Sequence, residues 1–464
     1  MPQISVARRI LLLVVILLGT LLGPLDSSVN IAFPDITRSF GIELKAIRWV
    51  VIAYVATYAS LMLVFGRIGD LFGHERVFGG GLLVCIAGFT ICGLAKDYNW
   101  LLLARGVQGI GTAMVLSCGP ALATNLFGEH FRSRILGIYS MAFGLGGAVG
   151  PSIGGLLVDL WGWPAVFWFR IPLALAALVI LLVLHMPPSP RARGRFDLAD
   201  SLLLAGATGL FLLFLSQFEL ATTHPLYFGL LALATALATG AFIRFARHSS
   251  APIIDLDGFS NFGFAWINIA NVIVNFAGFA TMLFVPYFLV QISGIPLWQS
   301  GLIMAAGPIA MMAAANVAGW TIPTIGADRL AIAGAVLVAS GLHWMSFWDG
   351  ATDRVPLTLA LLLHGAGLGL FQVASLDIVA ASLPRSNRGV AGSLALVMRT
   401  VGVVMAASIL TLVFAHFHQG TSGLSESAAF VFAFQTAFQS AAFGLTVFVI
   451  AWLFRPNLWS CRRS

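Results

Sequence analysis

Charge is the scarcest property of this sequence: only 9% of its 464 residues are charged, whereas 59% are hydrophobic. The mean hydropathy of +0.95 is far above that of soluble proteins. A soluble domain of this length would expose too much apolar surface with so few charges. The composition therefore predicts a polytopic membrane protein.

Cysteine and enzyme motifs are also scarce. The four cysteines, Cys85, Cys92, Cys118 and Cys461, lie in apolar stretches or at the C-terminus and lack paired or metal-ligand spacing, so we predict neither a disulfide nor a metal site. The sequence has no P-loop, nucleophile elbow or clustered His/Glu ligands, which argues against an enzyme and excludes an ATP-driven pump. No cofactor is expected, and no signal-peptide cleavage site follows the first apolar run.

Long apolar runs, by contrast, fill the chain. Runs of about 20 residues, long enough to span a bilayer, predict transmembrane helices in groups of six, two and six. Their starts lie near Ile10, Ile47, Val77, Leu101, Ile135, Pro164, Ser201, Leu226, Phe262, Leu297, Leu330, Leu357, Val390 and Ala429. We therefore predict an all-α protein with an N-terminal six-helix bundle (1–186), a basic loop with two extra helices (187–258) and a C-terminal six-helix bundle (259–464).

The basic residues predict the orientation of the chain. Of the 25 lysines and arginines, 17 fall in segments that an inside N-terminus places in the cytoplasm, and 5 fall in outside segments. This bias predicts that both termini are cytoplasmic, as an even number of spans requires. The net charge of +7 is then explained by topology and contact with lipid, without any nucleic-acid partner.

Asp26 is the most informative charged residue because it lies inside the first apolar run. A carboxylate at that depth costs about 2.5–3.5 kcal/mol on insertion scales, so it marks a functional site by default. A structural acid that only hydrogen-bonds a neighbouring helix is the alternative. Asn30 follows at i+4, on the same face of the predicted helix.

The fourth predicted span carries a polar stripe. Arg105, Gln108 and Thr112 follow i, i+3, i+7 spacing and share one helix face. At the rise of an α-helix, Arg105 lies about 8 Å and Asp26 about 12 Å from the outer ends of their spans, so the two side chains can meet. We predict an Arg105–Asp26 contact that holds the carboxylate ionised until substrate or a conformational change breaks it. A static ion pair that only fixes packing is the alternative.

Other ionisable residues within predicted spans are weaker candidates. Asp377 lies about 10 Å from the inner end of span twelve and is a second candidate for proton coupling. Arg399, on span thirteen, is a candidate for a cavity wall. Arg170, on span six, either receives an anionic head group or pairs with Asp159.

The loop predicted between spans two and three contains Gly66, Asp70, Gly73 and Arg76. Its glycines permit a tight turn, and Asp70 can cap a helix or pair with an arginine on a neighbouring helix. Such a loop would act as a latch between helices, although an ordinary polar turn has a similar composition.

The fifth predicted span carries a ridge of small residues. Gly146, Gly150 and Gly154 repeat every four residues, and Pro151 bends the helix among them. By itself this pattern indicates close helix packing and nothing more.

The loop, the polar stripe and the glycine ridge, in this order, resemble motifs A, B and C of the Major Facilitator Superfamily. The span count, the segment from Leu25 to Pro34 and Trp161-Gly-Trp163 are similar to its fourteen-span drug:proton antiporters. The resemblance implies two six-helix bundles, a cavity at the midplane and alternating access. One departure is that Leu71, His74 and Glu75 stand where the loop motif usually carries basic residues, which implies a differently wired latch.

The resemblance implies a monomeric transporter of the bacterial inner membrane that exports amphipathic organic compounds in exchange for protons, with membrane lipids as its other partners. From the residues themselves we assign proton coupling to Asp26, Arg105 and Asp377. The candidates for the substrate cavity are Asn30, Gln108, Thr112, Arg170 and Arg399, of which Arg170 stands where the family usually has an asparagine. The latch comprises Gly66, Asp70, Gly73 and Arg76, and the antiporter helix carries Gly146, Gly150, Pro151 and Gly154. Two alternatives stay open, namely an exporter of one endogenous metabolite or lipid and a membrane enzyme or scaffold that transports nothing.

Overall fold

The computed structural model describes residues 5–42, 46–127, 129–189, 196–218, 220–248, 262–295, 297–382, 388–420 and 425–454. All regular secondary structure in those residues is helical, which confirms the predicted all-α class. In chain order the α-helices are α1 (Val6–Leu21), α2 (Ser28–Ile31), α3 (Phe33–Phe40), α4 (Arg48–Phe72), α5 (His74–Gly93), α6 (Tyr98–Phe127), α7 (Arg132–Trp161), α8 (Ala165–Trp168), α9 (Arg170–Leu184), α10 (Leu198–Ser216), α11 (Leu220–Thr223), α12 (Pro225–His248), α13 (Phe262–Tyr287), α14 (Leu297–Ile325), α15 (Ala327–Met345), α16 (Arg354–Ser382), α17 (Arg388–Gln419) and α18 (Glu426–Leu453).

A helix begins within four residues of every predicted span start. Twelve described segments are long and apolar enough to cross a membrane, and α7 adds a thirteenth if its two halves, which meet at 40°, count as one span. The 19-residue α15 is not among these segments, because Asp328, Arg329 and His343 lower its average hydropathy. The count of fourteen spans is therefore not confirmed.

The helices form two compact units. The first comprises Met1–Leu213, Thr235–Leu256 and Leu383–Val397. Within it, α6 packs along both α4 and α5. A Cβ added at Gly88 would lie 2.7 Å from the Cα of Gln108, so the absence of a side chain lets α5 approach the α6 backbone closely.

The second unit comprises Phe214–Ala234, Asp257–Ser382 and Met398–Ser464. Here α16 packs along α14 and α15. Glycines again permit close contact, since a Cβ added at Gly334 of α15 would lie 2.7 Å from the carbonyl oxygen of Gly367 on α16. The predicted division into two six-helix bundles flanking an extra pair of helices remains a prediction.

Candidate functional site: the carboxylate of Asp26

Asp26 lies where the first membrane-spanning segment loses its regular helical form. The α1 helix ends at Leu21, and a 3-10 turn from Pro24 to Ser27 carries Asp26. Proline has no backbone N–H to donate to the preceding turn, which favours a break at this point. The Asp26 N–H donates to the carbonyl oxygen of Gly23 at 3.0 Å, as the tighter turn requires.

Four hydrogen bonds hold the carboxylate of Asp26. Its Oδ1 accepts from Arg105 Nη1 at 2.6 Å, Arg170 Nη1 at 2.8 Å and Gln108 Nε2 at 2.9 Å. Its Oδ2 accepts from Arg105 Nη2 at 2.6 Å. The predicted contact between Arg105 and Asp26 is therefore present, as a bidentate pair. Such charge-assisted hydrogen bonds are roughly twice as strong as those between neutral groups.

Arg105 has a partner for each of its guanidinium nitrogens. Besides the bonds to Asp26, its Nε donates to the Val50 carbonyl oxygen at 2.9 Å and its Nη1 also donates to Gln108 Oε1 at 2.8 Å. The guanidinium lies 4.3 Å from the centroid of the Tyr54 ring, where a cation–π interaction adds stabilisation. Because Arg105 is fully buried, removing its carboxylate partner would leave an uncompensated charge.

Arg170 also pairs with Asp26. Two partners were considered from the sequence, an anionic head group and Asp159. Asp159 is wrong, since it is exposed on α7. The fully buried Arg170 donates from Nε to the Val166 carbonyl oxygen at 3.1 Å and lies 4.4 Å from the centroid of the Phe89 ring. Depth along a helix, which the sequence gives, did not reveal the direction in which this side chain points.

The glycine ridge of α7 packs against the segment that carries Asp26. A Cβ added at Gly146 would lie 2.7 Å from Pro24 Cγ, and one at Gly154 would lie 2.9 Å from Ser28 Cα. A Cβ at Gly150 would meet Ser27 Oγ. Close packing was predicted from the spacing, but its partner was not. The ridge therefore positions the 3-10 turn and, through it, the carboxylate. The bend in α7 falls where Pro151 was expected to place it, between Gly150 and Ile153.

The predicted latch differs from expectation because α4 continues through Phe72. Gly66 and Asp70 therefore lie within the helix, and Gly73, with a φ of 107°, alone joins α4 to α5. The position of Gly73 is one that favours glycine. Buried Asp70 pairs with His74 Nε2 at 3.1 Å. The expectation of a loop was thus wrong for Gly66 and Asp70, since the apolar helix pattern extends past them. Arg76 is exposed on α5.

Two predicted site residues of the first unit, Asn30 and Thr112, are not among the described hydrogen-bond partners of Asp26. Asn30 is exposed on α2, because the break at the 3-10 turn removes the common helix face on which the prediction relied. Thr112 is buried on α6 but is not among the described hydrogen-bond partners of Asp26. Asp377 is buried and Arg399 half-buried in the second unit.

Sequence reasoning missed two sets of residues. The rings that flank the arginines, Tyr54, Phe89 and Phe167, could not be picked out among 36 phenylalanines and 6 tyrosines. A buried asparagine stripe on α13 could have been found, since its i, i+3, i+7 spacing matches that of the Arg105 stripe. Its members are Asn268, Asn271 and Asn275. In the described part of the chain, no group of three or more His, Cys, Asp or Glu residues could hold a metal ion.

Residues 15–407 match the model of the Major Facilitator Superfamily. The chain belongs to this family. It is 28% identical over 410 residues to the riboflavin transporter RibZ of Clostridioides difficile (strain 630), covering 88% of this chain and 89% of that one. It is 26% identical over 407 residues to the multidrug transporter protein MdtP of Bacillus subtilis (strain 168), covering 87% of this chain and 75% of that one.

A solved structure has the same fold. The crystal structure of the human organic anion transporter MFSD10 (TETRAN) superimposes with a TM-score of 0.67 at 14% identity, over 97% of this chain and 99% of that one. Together these findings identify a multi-pass membrane transporter of a small molecule. The alternative of a membrane enzyme or a scaffold without transport is therefore rejected.

Proposed function

We propose that this chain is a proton-coupled antiporter that exports amphipathic organic compounds by alternating access, with Asp26 as the residue that carries the proton. The observation that carries the proposal is the carboxylate of Asp26 at a helix break, held by Arg105, Arg170 and Gln108. An ionisable group this deep in a membrane-spanning segment is costly, and transporters use such groups as proton relays.

The geometry supports a simple switch. Oδ1 accepts three hydrogen bonds, whereas Oδ2 accepts one and keeps a lone pair for a proton. Asp26 comes from the 3-10 turn, Arg105 from α6 and Arg170 from α9, so a movement between these elements separates the carboxylate from its donors. Protonation then depends on conformation, which is the coupling that alternating access requires.

The remaining expectations belong to the same proposal. We place the transporter in a bacterial inner membrane as a monomer in contact with lipid, with both termini cytoplasmic and with the proton as its coupling ion. We also take α15 as the fourteenth span, because one of its faces is buried and it packs along α16 and α18. One proton moving down 100 mV supplies about 2.3 kcal/mol, which supports a roughly fifty-fold gradient of a neutral substrate.

Transport in proteoliposomes with an imposed pH gradient tests the proposal. Asp26→Asn keeps the shape of the side chain and removes its charge, so substrate binding should persist while proton-driven accumulation is lost. Asp26→Glu should retain part of it. Asp35→Asn is the matched control, since Asp35 forms a surface pair with Arg38. If Asp26→Asn accumulates substrate at the parent rate with proton movement intact, Asp26 is a packing residue and Asp377 becomes the candidate.

A single metabolite is a second candidate substrate, and the likeness to a riboflavin transporter favours it. Thermal-shift screening of riboflavin beside a panel of amphipathic drugs separates the two. Stabilisation by one compound of the panel indicates a dedicated transporter, and stabilisation by many unrelated compounds indicates multidrug export.

A further inference from the structure

The cluster around Asp26 contains one more positive than negative charge. Two guanidinium groups, those of Arg105 and Arg170, share a single carboxylate. The other polar group bonded to the carboxylate, Gln108, is neutral. A buried positive charge without a counter-charge is unfavourable in a low-dielectric environment. The cluster is therefore completed electrostatically by one additional negative charge.

One guanidinium nitrogen of the cluster has no hydrogen-bond acceptor among the residues that the structure describes. Arg170 uses Nε for the Val166 carbonyl oxygen and Nη1 for Asp26, but its buried Nη2 donates to no acceptor among the described residues. A buried donor without an acceptor costs about 1–3 kcal/mol. Arg105, by contrast, uses all three of its nitrogens. The missing acceptor therefore belongs beside Arg170.

Two buried aromatic rings flank the guanidinium of Arg170. Its guanidinium lies 4.4 Å from the Phe89 ring centroid and 5.4 Å from the Phe167 ring centroid. These rings orient the guanidinium and exclude water, but they supply no hydrogen-bond acceptor comparable to a carboxylate.

The carboxylate of Asp26 marks the accessible side of the cluster. The side chain of Asp26 is 13% exposed, whereas those of Arg105 and Arg170 are 0% exposed. A ligand that reaches the arginines therefore approaches past Asp26. Its charge decides whether it binds, because the cluster repels a cation and attracts an anion.

We propose that this site binds the anionic oxygen group of an amphipathic organic substrate, a carboxylate or sulfonate, with Arg170 Nη2 as the donor that recognises it. This inference rests on the proposed function only in taking the Asp26 cluster as part of the substrate site. It adds the chemical class of the substrate.

Calorimetric titration of the full-length protein in nanodiscs of zwitterionic lipid tests the inference with three probes of one skeleton. These are 2-naphthoate, neutral 2-naphthamide and cationic 2-naphthylmethylammonium. The parent should bind naphthoate about 10-fold more tightly than naphthamide, as one charge-assisted hydrogen bond predicts, and the cation most weakly. Equal binding of the three probes would overturn the inference.

Variants assign the preference to Arg170. Arg170→Gln should reduce the preference for naphthoate to less than about 3-fold, and Arg170→Lys should retain part of it. Arg38→Gln, at a side chain that is 81% exposed, is the control and should change nothing. Survival of the full preference in Arg170→Gln would overturn the inference. If that variant does not fold, Asp26→Asn decides, because loss of the competing carboxylate should strengthen naphthoate binding, and unchanged or weaker binding counts against the site.

The substrate class and the proposed function can fail separately. If Asp26→Asn abolishes proton-driven transport but the parent shows no preference for the anion, the substrate class is wrong and the proposed function stands. If the parent prefers the anion but proton coupling does not depend on Asp26, the proposed function is wrong and the substrate class stands. Adding phosphatidylglycerol to the nanodiscs should leave naphthoate binding unchanged. If phosphatidylglycerol instead weakens naphthoate binding to the parent but not to Arg170→Gln, the anion that the site binds is a lipid headgroup and not a substrate.

Discussion

Helices α4–α6 of the first unit and α14–α16 of the second are built on equivalent glycine contacts. Gly88 meets the backbone of Gln108 on α6, and Gly341 meets that of His364 on α16. Each pair of consecutive helices before these contacts is joined by a glycine of positive φ, 107° at Gly73 and 94° at Gly326. The packing framework is therefore repeated within the chain.

The chemistry placed on this framework is different. Three residues before Gln108 stands Arg105, whereas three residues before His364 stands Leu361. The first position forms the bidentate pair with Asp26, and the second is buried and apolar. The repeated packing therefore does not itself specify the site, which arises from an ionic cluster of the first unit.

The largest effect is expected for Arg105→Leu, which gives α6 the leucine that stands at the equivalent position 361 of α16. Removing one partner of a buried ion pair costs about 3–5 kcal/mol, somewhat less here because Arg170 still contacts Asp26. Proton-driven transport should fall at least about 100-fold, which corresponds to a loss of about 2.7 kcal/mol in the transition state. Thermal unfolding and proteoliposome transport provide the two measurements.

Leu361→Met is the matched change in the second unit. A volume-conserving replacement of this buried leucine should cost less than about 1.5 kcal/mol and leave coupling intact. The effect of Arg105→Lys on stability and transport should lie between the two, since lysine keeps the charge but cannot form the bidentate pair with Asp26. The contrast between the units would be refuted if Arg105→Leu behaved like Leu361→Met in both assays.

The next largest effect concerns the support of the first span. A methyl group at Gly154 would lie 2.8 Å from Ser28 Cβ, directly after the turn that carries Asp26, so Gly154→Ala should displace that turn. Overpacking of this kind costs about 1–3 kcal/mol, and we expect transport to fall about 10-fold. Proteoliposome uptake measures this fall.

Gly147→Ala is the control on the same helix, because a Cβ there meets nothing within 4 Å. In the second unit, Gly402→Ala would press against α13, which continues unbroken at this point, so stability should fall while proton coupling persists. Equal transport by the Gly147 and Gly154 variants would show that the ridge does not position Asp26.

Depth was the part of this site that the sequence could predict. The positions of Asp26 and Arg105 in their spans were sufficient to predict their contact, because each helix rises by a fixed distance per residue. The direction in which a side chain points around the helix axis could not be predicted in the same way. Asp159 was therefore one of two partners considered for Arg170, beside an anionic head group. Asn30 was placed on the face of Asp26 because the effect of Pro24 on the helix was not considered.

The latch shows a second limit. Gly66 and Asp70 have the composition of a turn, yet they continue α4, in which the buried Asp70 pairs with His74 Nε2 at 3.1 Å. The helix starts, in contrast, were predicted to within four residues because long apolar runs fix them. The long apolar runs therefore predicted where the helices begin better than the glycine and aspartate residues predicted where α4 ends.

A smaller effect should distinguish packing from coupling at equivalent glycines. A Cβ at Gly88 would lie 2.7 Å from Gln108 Cα, and one at Gly341 would lie 2.9 Å from His364 N. Both alanine variants should lose about 1–3 kcal/mol of stability through overpacking. Only Gly88→Ala should also alter the pH dependence of transport, since Gln108 contacts Asp26. A changed pH profile in Gly341→Ala would place a coupling residue in the second unit.

The smallest effect is expected for His364→Gln, which gives α16 the glutamine that stands at the equivalent position 108 of α6. His364 is buried, and its Nε2 lies 3.5 Å from Thr281 Oγ1, a contact that a glutamine amide can replace. We expect a stability change of about 1 kcal/mol or less and transport within about two-fold of the parent at each pH. Gln108→His is the reciprocal change, and it should reduce coupling strongly because it removes the amide donor to Asp26. Transport measured across a range of external pH decides the outcome. Loss of proton-driven accumulation in His364→Gln would show that the second unit carries a proton site of its own, and the ionic cluster of the first unit would then be only half of the coupling machinery.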